Sequence, residues 1–70
     1  MKSYLVIFEK SSTGYSAYVP DLPGCISTGA TREETKENIQ EAISLHLEVM
    51  EEDGLSIPEG SSEAETLVVE

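Results

Sequence analysis

Residues 15–29 read Tyr-Ser-Ala-Tyr-Val-Pro-Asp-Leu-Pro-Gly-Cys-Ile-Ser-Thr-Gly, and this stretch decides how the chain folds. It predicts two strands joined by a rigid corner. Pro20 and Pro23 fix their own φ angles and favour an extended conformation in the residues before them, whereas Gly24 accepts a positive φ without a Cβ penalty. The carboxylate of Asp21 can accept hydrogen bonds from nearby backbone and so stabilise the corner.

Three strands are predicted before the first helix. Residues 3–8 are mostly β-branched or aromatic, and such a continuous apolar run is typical of a central strand that is covered on both faces. A polar loop ending at Gly14 is short enough to close an antiparallel hairpin to a second strand over residues 15–19. A third, short strand over residues 25–28 is expected at a sheet edge. Cys25 is expected to be a small buried hydrophobe rather than a reactive thiol.

A helix is predicted to follow these strands. Residues 31–34, Thr-Arg-Glu-Glu, form a capping box in which the Thr31 hydroxyl accepts a hydrogen bond from the Glu34 amide. Apolar residues then recur at spacings of three and four until Gly54, which predicts an amphipathic helix over about residues 32–53. His46 lies among these apolar positions and is expected to be a core or interface histidine rather than a catalytic base.

The remainder of the chain predicts one more strand. Residues 65–69 are apolar at three consecutive positions, and a right-handed crossover through the helix would lay them parallel to the first strand. The predicted fold is α+β, a small sheet of three to four strands in the order β-β-β-α-β with one helix packed on one face, in a single domain over residues 1–70. Because one helix covers only one side of a sheet, we expect a second copy or another protein to bury a bare face or edge.

The charge of the chain limits its partners. Fourteen acidic and four basic residues give a formal net charge of −10, which argues against direct binding of nucleic acid and suits a basic partner protein. The excess acid has a second interpretation, as a means of keeping a small protein soluble. Acidic residues lie on the outer face of the predicted helix and at its C-terminal end, where the helix dipole favours cations. They indicate a surface that receives Arg and Lys from a partner, or else a face exposed to solvent. Those of the face are Glu33, Glu37, Glu41, Glu48 and Glu52.

The small size of the chain predicts association. A domain of 70 residues is marginal alone, and its single cysteine cannot form an internal disulfide. Cys25 and His46 are too few for a structural zinc site, so no metal or cofactor is expected. The sequence contains neither an apolar run that could span a membrane nor a signal-peptide pattern, and the unpaired cysteine is consistent with a reducing cytoplasm.

The corner and the helix together resemble the HicB family, the antitoxins of HicA/HicB toxin–antitoxin pairs. The resemblance rests on the PDLPGC corner, the Gly-Ala-Thr that leads into the helix, the Asn-Ile-Gln-Glu-Ala-Ile of residues 38–43 and the Leu-His-Leu-Glu that ends at residue 48. It implies a partial RNase H-like fold and a small basic partner toxin, HicA, that cleaves mRNA and is masked by HicB. It also implies dimers or larger assemblies. Some members act as transcriptional repressors through a C-terminal DNA-binding segment, and none is expected here because the sequence ends at Glu70.

Three functions follow as hypotheses. The first is a non-catalytic antitoxin that binds and neutralises a HicA-like toxin, and the second is an orphan oligomeric adaptor or structural module with no toxin. The third, a small hydrolase or nuclease, lacks a cluster of carboxylates at strand ends, so the chain is not expected to be an enzyme. The residues expected to contact the partner are Asp21, Glu33, Glu37, Glu41 and Glu48. The residues expected to form the structural motif, with the corner as a possible rigid contact loop, are Pro20, Asp21, Leu22, Pro23, Gly24, Cys25, Gly29 and Thr31.

Overall fold

The computed structural model describes residues 2–70 as a small antiparallel sheet with one helix packed on it. The elements in chain order are β1 (Ile7–Ser11), β2 (Gly14–Tyr18), β3 (Ile26–Gly29) and α1 (Arg32–Glu52). The predicted α+β class and the sheet with a single helix are therefore confirmed, and the arrangement is compatible with a partial RNase H-like fold.

The strands follow one another in the sheet in the order β1-β2-β3, which leaves β1 and β3 as the edges. The third strand thus lies at an edge, as the sequence predicts. The prediction for the first strand is wrong in position and extent, since β1 begins at Ile7 and lies at an edge rather than in the centre. The cause is the corner: in the register of β1 and β2, residues 3–6 would lie opposite residues 19–22, which turn away as the corner instead of continuing β2. Residues 3–6 consequently extend beyond the end of their pairing strand.

The corner is held by its own backbone hydrogen bonds. The N–H of Leu22 donates to the carbonyl of Val19 at 3.1 Å, and the N–H of Cys25 donates to that of Leu22 at 3.0 Å. Gly24 has a φ of 85°, the positive value that the sequence predicts for it. The side chains of Leu22 and Cys25 are only 1% and 3% exposed. Burial also raises the pKa of the Cys25 thiol, in agreement with its predicted role as a small hydrophobe.

The first of the two hydrogen bonds of the capping box, the one that Thr31 accepts, is present at the start of α1. The Thr31 hydroxyl oxygen accepts from the backbone N–H of Glu34 at 3.1 Å, and its carbonyl accepts from the hydroxyl of Thr35 at 2.7 Å. Thr35 is fully buried against Gly29, where an added Cβ would lie only 2.6 Å from the Thr35 hydroxyl oxygen. Gly29 is therefore required because helix and sheet approach each other closely at this point.

The end of α1 lies one residue from the predicted position. The N–H of Leu55 donates to the carbonyl of Met50 at 2.9 Å, and the N–H of Gly54 donates to that of Glu51 at 3.1 Å. Gly54 has a φ of 69°. This pair of bonds with a left-handed glycine is the Schellman motif, which satisfies the last carbonyls of a helix.

The core forms where α1 crosses β2 and β3. Its buried side chains come from β2, from the corner and from the middle of the helix, while α1 leaves the flank of β1 open. The apolar members of this core are Ala17, Val19, Leu22, Cys25 and Ile39. Five buried apolar residues within residues 2–70 make a small core, so much apolar surface remains exposed.

The predicted final strand over residues 65–69 is wrong, because the part of the chain described after Glu52 contains no strand. The hydroxyl of Tyr4 donates to the carbonyl of Pro58, and this bond holds the segment after α1 against residues 3–4. Beyond Ser62 the chain departs from the sheet, and Leu67, Val68 and Val69 are 71%, 95% and 85% exposed. A strand needs a neighbouring strand edge to complete its hydrogen bonds, and the described sheet has none beside residues 65–69.

Candidate partner-binding surfaces

The outer face of α1 carries exposed acidic residues in several of its turns. Residues four and seven positions apart lie on the same side of a helix, and Glu37, Glu41 and Glu48 follow this spacing. Together with Glu33 in the first turn, all of them are exposed to solvent. We call these four residues the acidic face. The structure places them where the sequence predicts, and their contact with a partner stays a prediction.

The positive charge of the chain is concentrated on another side of α1. A groove of about 430 Å³ runs between residues 2–8 and the helix, and Lys2, Arg32 and Lys36 line it. These are three of the four basic residues in the chain. Its apolar floor includes Tyr4, Val6, Phe8, Ile39 and Ile43. We call this feature the basic groove.

One side chain of the basic groove is oriented by an aromatic ring. The guanidinium carbon of Arg32 lies 4.2 Å from the centroid of the Phe8 ring, within the range of a cation–π interaction. The planar guanidinium keeps its donors available at its edges when it stacks in this way. The basic groove therefore presents cations above an apolar floor, an arrangement that sequence reasoning missed because Lys2 and Lys36 are far apart along the chain.

The opposite flank of α1 is apolar. Here the helix and the β3 side of the molecule enclose a second groove, which half-buried His46 lines. We call it the apolar groove. Its most exposed apolar members are Ile26, Leu45, Val49 and Leu55, each between 54% and 64% exposed. His46 thus borders an open apolar surface, in agreement with the prediction of a core or interface histidine.

Asp21 connects the corner to a distant part of the chain. Its carboxylate accepts from the backbone N–H groups of Ser61 and Ser62, both at 3.0 Å, and from the Ser62 hydroxyl at 2.8 Å. The prediction that Asp21 bonds to nearby backbone is wrong, because the donors to its carboxylate lie 40 and 41 residues further along the chain. Whether Asp21 also contacts a partner stays a prediction, although its oxygens are already engaged.

Replacing Asp21 with Asn is expected to loosen residues 58–62 and to lower the urea midpoint of unfolding at pH 7. The hydrogen bond from the Ser62 backbone, followed by that from its hydroxyl, lowers the pKa of Asp21. A carboxyl whose pKa is lower in the folded state stabilises the fold above its unfolded pKa and loses this effect as the pH falls. The difference between wild type and variant should therefore begin to shrink as the pH falls below about 4, the ordinary value for Asp, and should disappear below the lowered pKa of the folded state.

The control for this prediction is Glu59→Gln, which neutralises an exposed carboxylate in the same loop. Its urea midpoint should stay close to that of the wild type at both pH values. An Asp21→Asn variant as stable as the wild type at pH 7 would contradict a bridging role for this carboxylate.

The described surfaces offer charge and apolar area, the features with which proteins bind other proteins. Within residues 2–70, no group of three or more His, Cys, Asp or Glu side chains is placed to hold a metal ion. Nor is any helix in this range long and apolar enough to cross a membrane.

Comparison with known proteins finds relatives in a phage and in a bacterium. The chain is 45% identical over 58 residues to a protein from the rep-hol intergenic region of Haemophilus phage HP1, and the match covers 83% of this chain and 44% of that protein. It is 35% identical over 65 residues to Antitoxin HicB 2 of Photorhabdus laumondii, with 93% of this chain and 47% of that protein covered. The chain thus spans less than half the length of these two relatives.

A solved structure and a family model give the same assignment. The fold matches a chain of a HicA3 and HicB3 toxin–antitoxin complex with a TM-score of 0.72 at 28% identity, over 86% of this chain and 70% of that one. The model of the HicB-like antitoxins of bacterial toxin–antitoxin systems matches residues 4–69. A match over nearly the whole chain shows the family, and the chain belongs to the HicB-like antitoxins.

Proposed function

We propose that this protein is a non-catalytic antitoxin that binds a small basic, mRNA-cleaving toxin of the HicA type. Binding covers the surface with which the toxin holds and cleaves RNA. The acidic face of α1 is the observation that carries this proposal, because it presents four exposed carboxylates on one helix. A ribonuclease binds the phosphates of RNA with Lys and Arg, and carboxylates at a similar spacing compete for the same side chains.

The distribution of charge supports an external partner for the acidic face. Three of the four basic residues lie in the basic groove on another side of α1, so most of the cations of the chain stand apart from these glutamates. With a net charge of −10, the whole molecule attracts a basic protein before contact is made. Such attraction raises the rate of association and suppresses binding to acidic proteins.

The apolar groove supplies the second part of the proposed interface. Charged rims alone contribute little to affinity, and stable interfaces contain a desolvated apolar centre. Leu45 and Val49 lie on the flank of α1 next to the acidic face and are more than half exposed. A toxin that contacts the acidic face and extends over this flank would bury them, which gives the complex an apolar centre with an acidic border.

The relatives support the same partner. One structural neighbour was solved as a HicA3 and HicB3 toxin–antitoxin complex, and one relative in sequence is Antitoxin HicB 2. In both cases the matched region includes most of this chain. We infer that the domain described here is the part that binds toxin, while DNA binding is not assigned to it.

The experiment is a pull-down of the tagged chain from its native cell, with co-purifying proteins identified by mass spectrometry. We expect one small basic protein of the HicA type in stoichiometric amount, and we expect the purified antitoxin alone not to cleave RNA with or without divalent metal. Recovery of the chain alone, at several salt concentrations, would contradict the proposal.

The alternative function, an orphan oligomeric module, is favoured by the exposed apolar residues Leu67, Val68 and Val69. These residues indicate self-association whether or not a toxin exists. The same pull-down separates the two functions, since an orphan module would be recovered as an oligomer of this chain with no basic protein.

A further inference from the structure

β3 is an edge strand, and its outer side presents backbone groups that the described sheet does not use. The N–H of Val19 donates to the carbonyl of Cys25 at 3.1 Å, so these two residues face each other as a hydrogen-bonded pair. Such pairs alternate with non-bonded ones along β2 and β3, and Ile26 opposite Tyr18 is of the second kind. The N–H and carbonyl of Ile26, and those of Thr28, therefore point away from β2.

A side chain of α1 marks where the open part of this edge ends. The Nδ2 amide of Asn38 donates to the carbonyl of Thr28 at 2.9 Å, as expected for a carbonyl that points away from β2. This acceptor is thus already occupied. Ile26 still offers a donor and an acceptor, and Thr28 offers a donor. A further strand can therefore pair along residues 26–28, and the Asn38 amide limits the pairing beyond them.

The two edges of the sheet differ in how they are protected. β1 carries Glu9 and Lys10, and charged side chains on an edge strand commonly prevent it from pairing with another chain. β3 reads Ile-Ser-Thr-Gly, without charge or proline, and Ile26 is 64% exposed. A β-branched side chain at this exposure suits an edge that a further strand covers. β3 is therefore the edge that is available for strand addition.

The side chains of α1 beside this edge are acidic. Asn38 marks the line of the helix that faces the edge of β3, and residues at successive spacings of three and four lie on the same line. Glu34 lines the same depression as Thr28, and Leu45 lines the apolar groove. The other acidic member of this line is Glu41. Because the basic groove lies on the side of β1 instead, the two edges of the sheet have borders of opposite charge.

The sheet face away from α1 adds an apolar row to the same edge. The register places Ile7, Tyr18 and Ile26 directly opposite one another across the three strands. Ala17, the neighbour of Tyr18 along β2, is buried under α1, so the row lies on the other face. A strand added to β3 would extend this row with its own apolar side chains.

We propose that the partner toxin adds an extended segment to the open edge of β3, as a fourth strand of the sheet. This inference rests on the proposed antitoxin function and specifies how the toxin is held. Main-chain bonds to Ile26 and to the N–H of Thr28 fix the segment. Because successive side chains of a strand point to opposite faces, the suited segment carries Arg or Lys toward Glu34 and Glu41 and apolar residues on the other face.

Amide hydrogen exchange, resolved by residue with NMR, tests the proposal on the whole chain with and without the small basic protein that co-purifies with it. The amides of Ile26 and Thr28 should exchange at least about tenfold more slowly in the complex, because each then donates to the added strand. The amides of Phe8 and Lys10 point outward from β1 by the same alternation, and they serve as the control. Their exchange should not change.

The variant Ile26→Pro removes the donor at the open edge. This N–H takes no part in the described sheet, so the circular dichroism spectrum should stay that of the wild type. We expect the affinity for the basic protein to fall at least about tenfold. The matched control is Lys10→Pro, which removes an outward N–H at the other edge together with a positive charge. It should bind at least as tightly as the wild type, because the lost charge is one that repels a basic partner.

These outcomes separate strand addition from the antitoxin function. Binding without slower exchange at Ile26 and Thr28, or with equal slowing at Phe8 and Lys10, would overturn strand addition and leave the antitoxin function standing. Equal affinities of Ile26→Pro and the wild type would have the same meaning. A chain that binds no basic protein would overturn both.

Discussion

The double reversal Glu37→Lys/Glu41→Lys is expected to weaken toxin binding by about 10- to 100-fold. Both residues are exposed at the centre of the acidic face and take no part in the core, so the fold should be unchanged. The reversal replaces attraction to the toxin's Arg and Lys by repulsion at two adjacent turns of the helix. Most of the effect should appear in the association rate, which long-range charge controls.

Surface-based kinetics at several salt concentrations measure this effect. The difference between wild type and variant should shrink as salt rises, because screening shortens the reach of exposed charges to about 10 Å at 0.1 M. The matched control is Glu9→Lys/Glu59→Lys, which changes the net charge equally but off the helix. If that control loses as much affinity as the reversal on α1, the effect comes from net charge and the acidic face has no special part. Unchanged kinetics at low salt would contradict the charge-pairing mechanism.

The truncation Leu22→Ala is expected to destabilise the fold by about 2–5 kcal/mol, the usual cost of emptying a buried leucine site. Leu22 is 1% exposed and is one of the five buried apolar residues that form the core of the described part of the chain. A chain of 70 residues has a total stability of about 4–10 kcal/mol, so this single change removes a large part of it. We expect the variant to be partly unfolded at 37 °C.

Urea denaturation followed by circular dichroism measures the free energy of unfolding of this variant. The control is Ile26→Ala, which removes a side chain of the same size at a position that is 64% exposed. It should cost less than about 1 kcal/mol, because little apolar area is returned to water. Equal losses for the two variants would show that the corner is not the centre of the core.

Local signals in the sequence predicted much of the fold. The corner, the Thr31 cap and the glycine after α1 depend on hydrogen bonds within a few residues, and all three form as expected. Burial of Cys25 follows in the same way from its place next to the corner. Such features are set by backbone geometry that each residue type permits or forbids, so a single sequence contains them.

Features that depend on distant residues were not predictable. The position of β1 depends on the residues that would lie opposite it, since residues 19–22, the would-be partners of residues 3–6, form the corner. The bond from Asp21 to Ser62 joins residues 41 positions apart, and nothing in the local sequence indicates it. The prediction of a final strand was wrong for the same reason. Residues 65–69 have the composition of a strand, but no strand of the described chain lies beside them to pair with.

The binding surfaces divide in the same manner. The acidic face follows directly from helical spacing, so residues such as Glu37 and Glu41 were predictable as neighbours. The basic groove was not, because it combines Lys2 from the start of the chain with Lys36 from the helix. Its existence depends on how α1 crosses the sheet, which the sequence pattern leaves open.

The most direct test of the account is a titration of the antitoxin into RNA cleavage by the purified HicA-type toxin. We predict that cleavage falls in proportion to added antitoxin and ends near equimolar amounts, while the antitoxin alone leaves the RNA intact. This result would establish neutralisation by stoichiometric binding. Full cleavage in the presence of excess antitoxin, or cleavage by the antitoxin itself, would contradict the central claim.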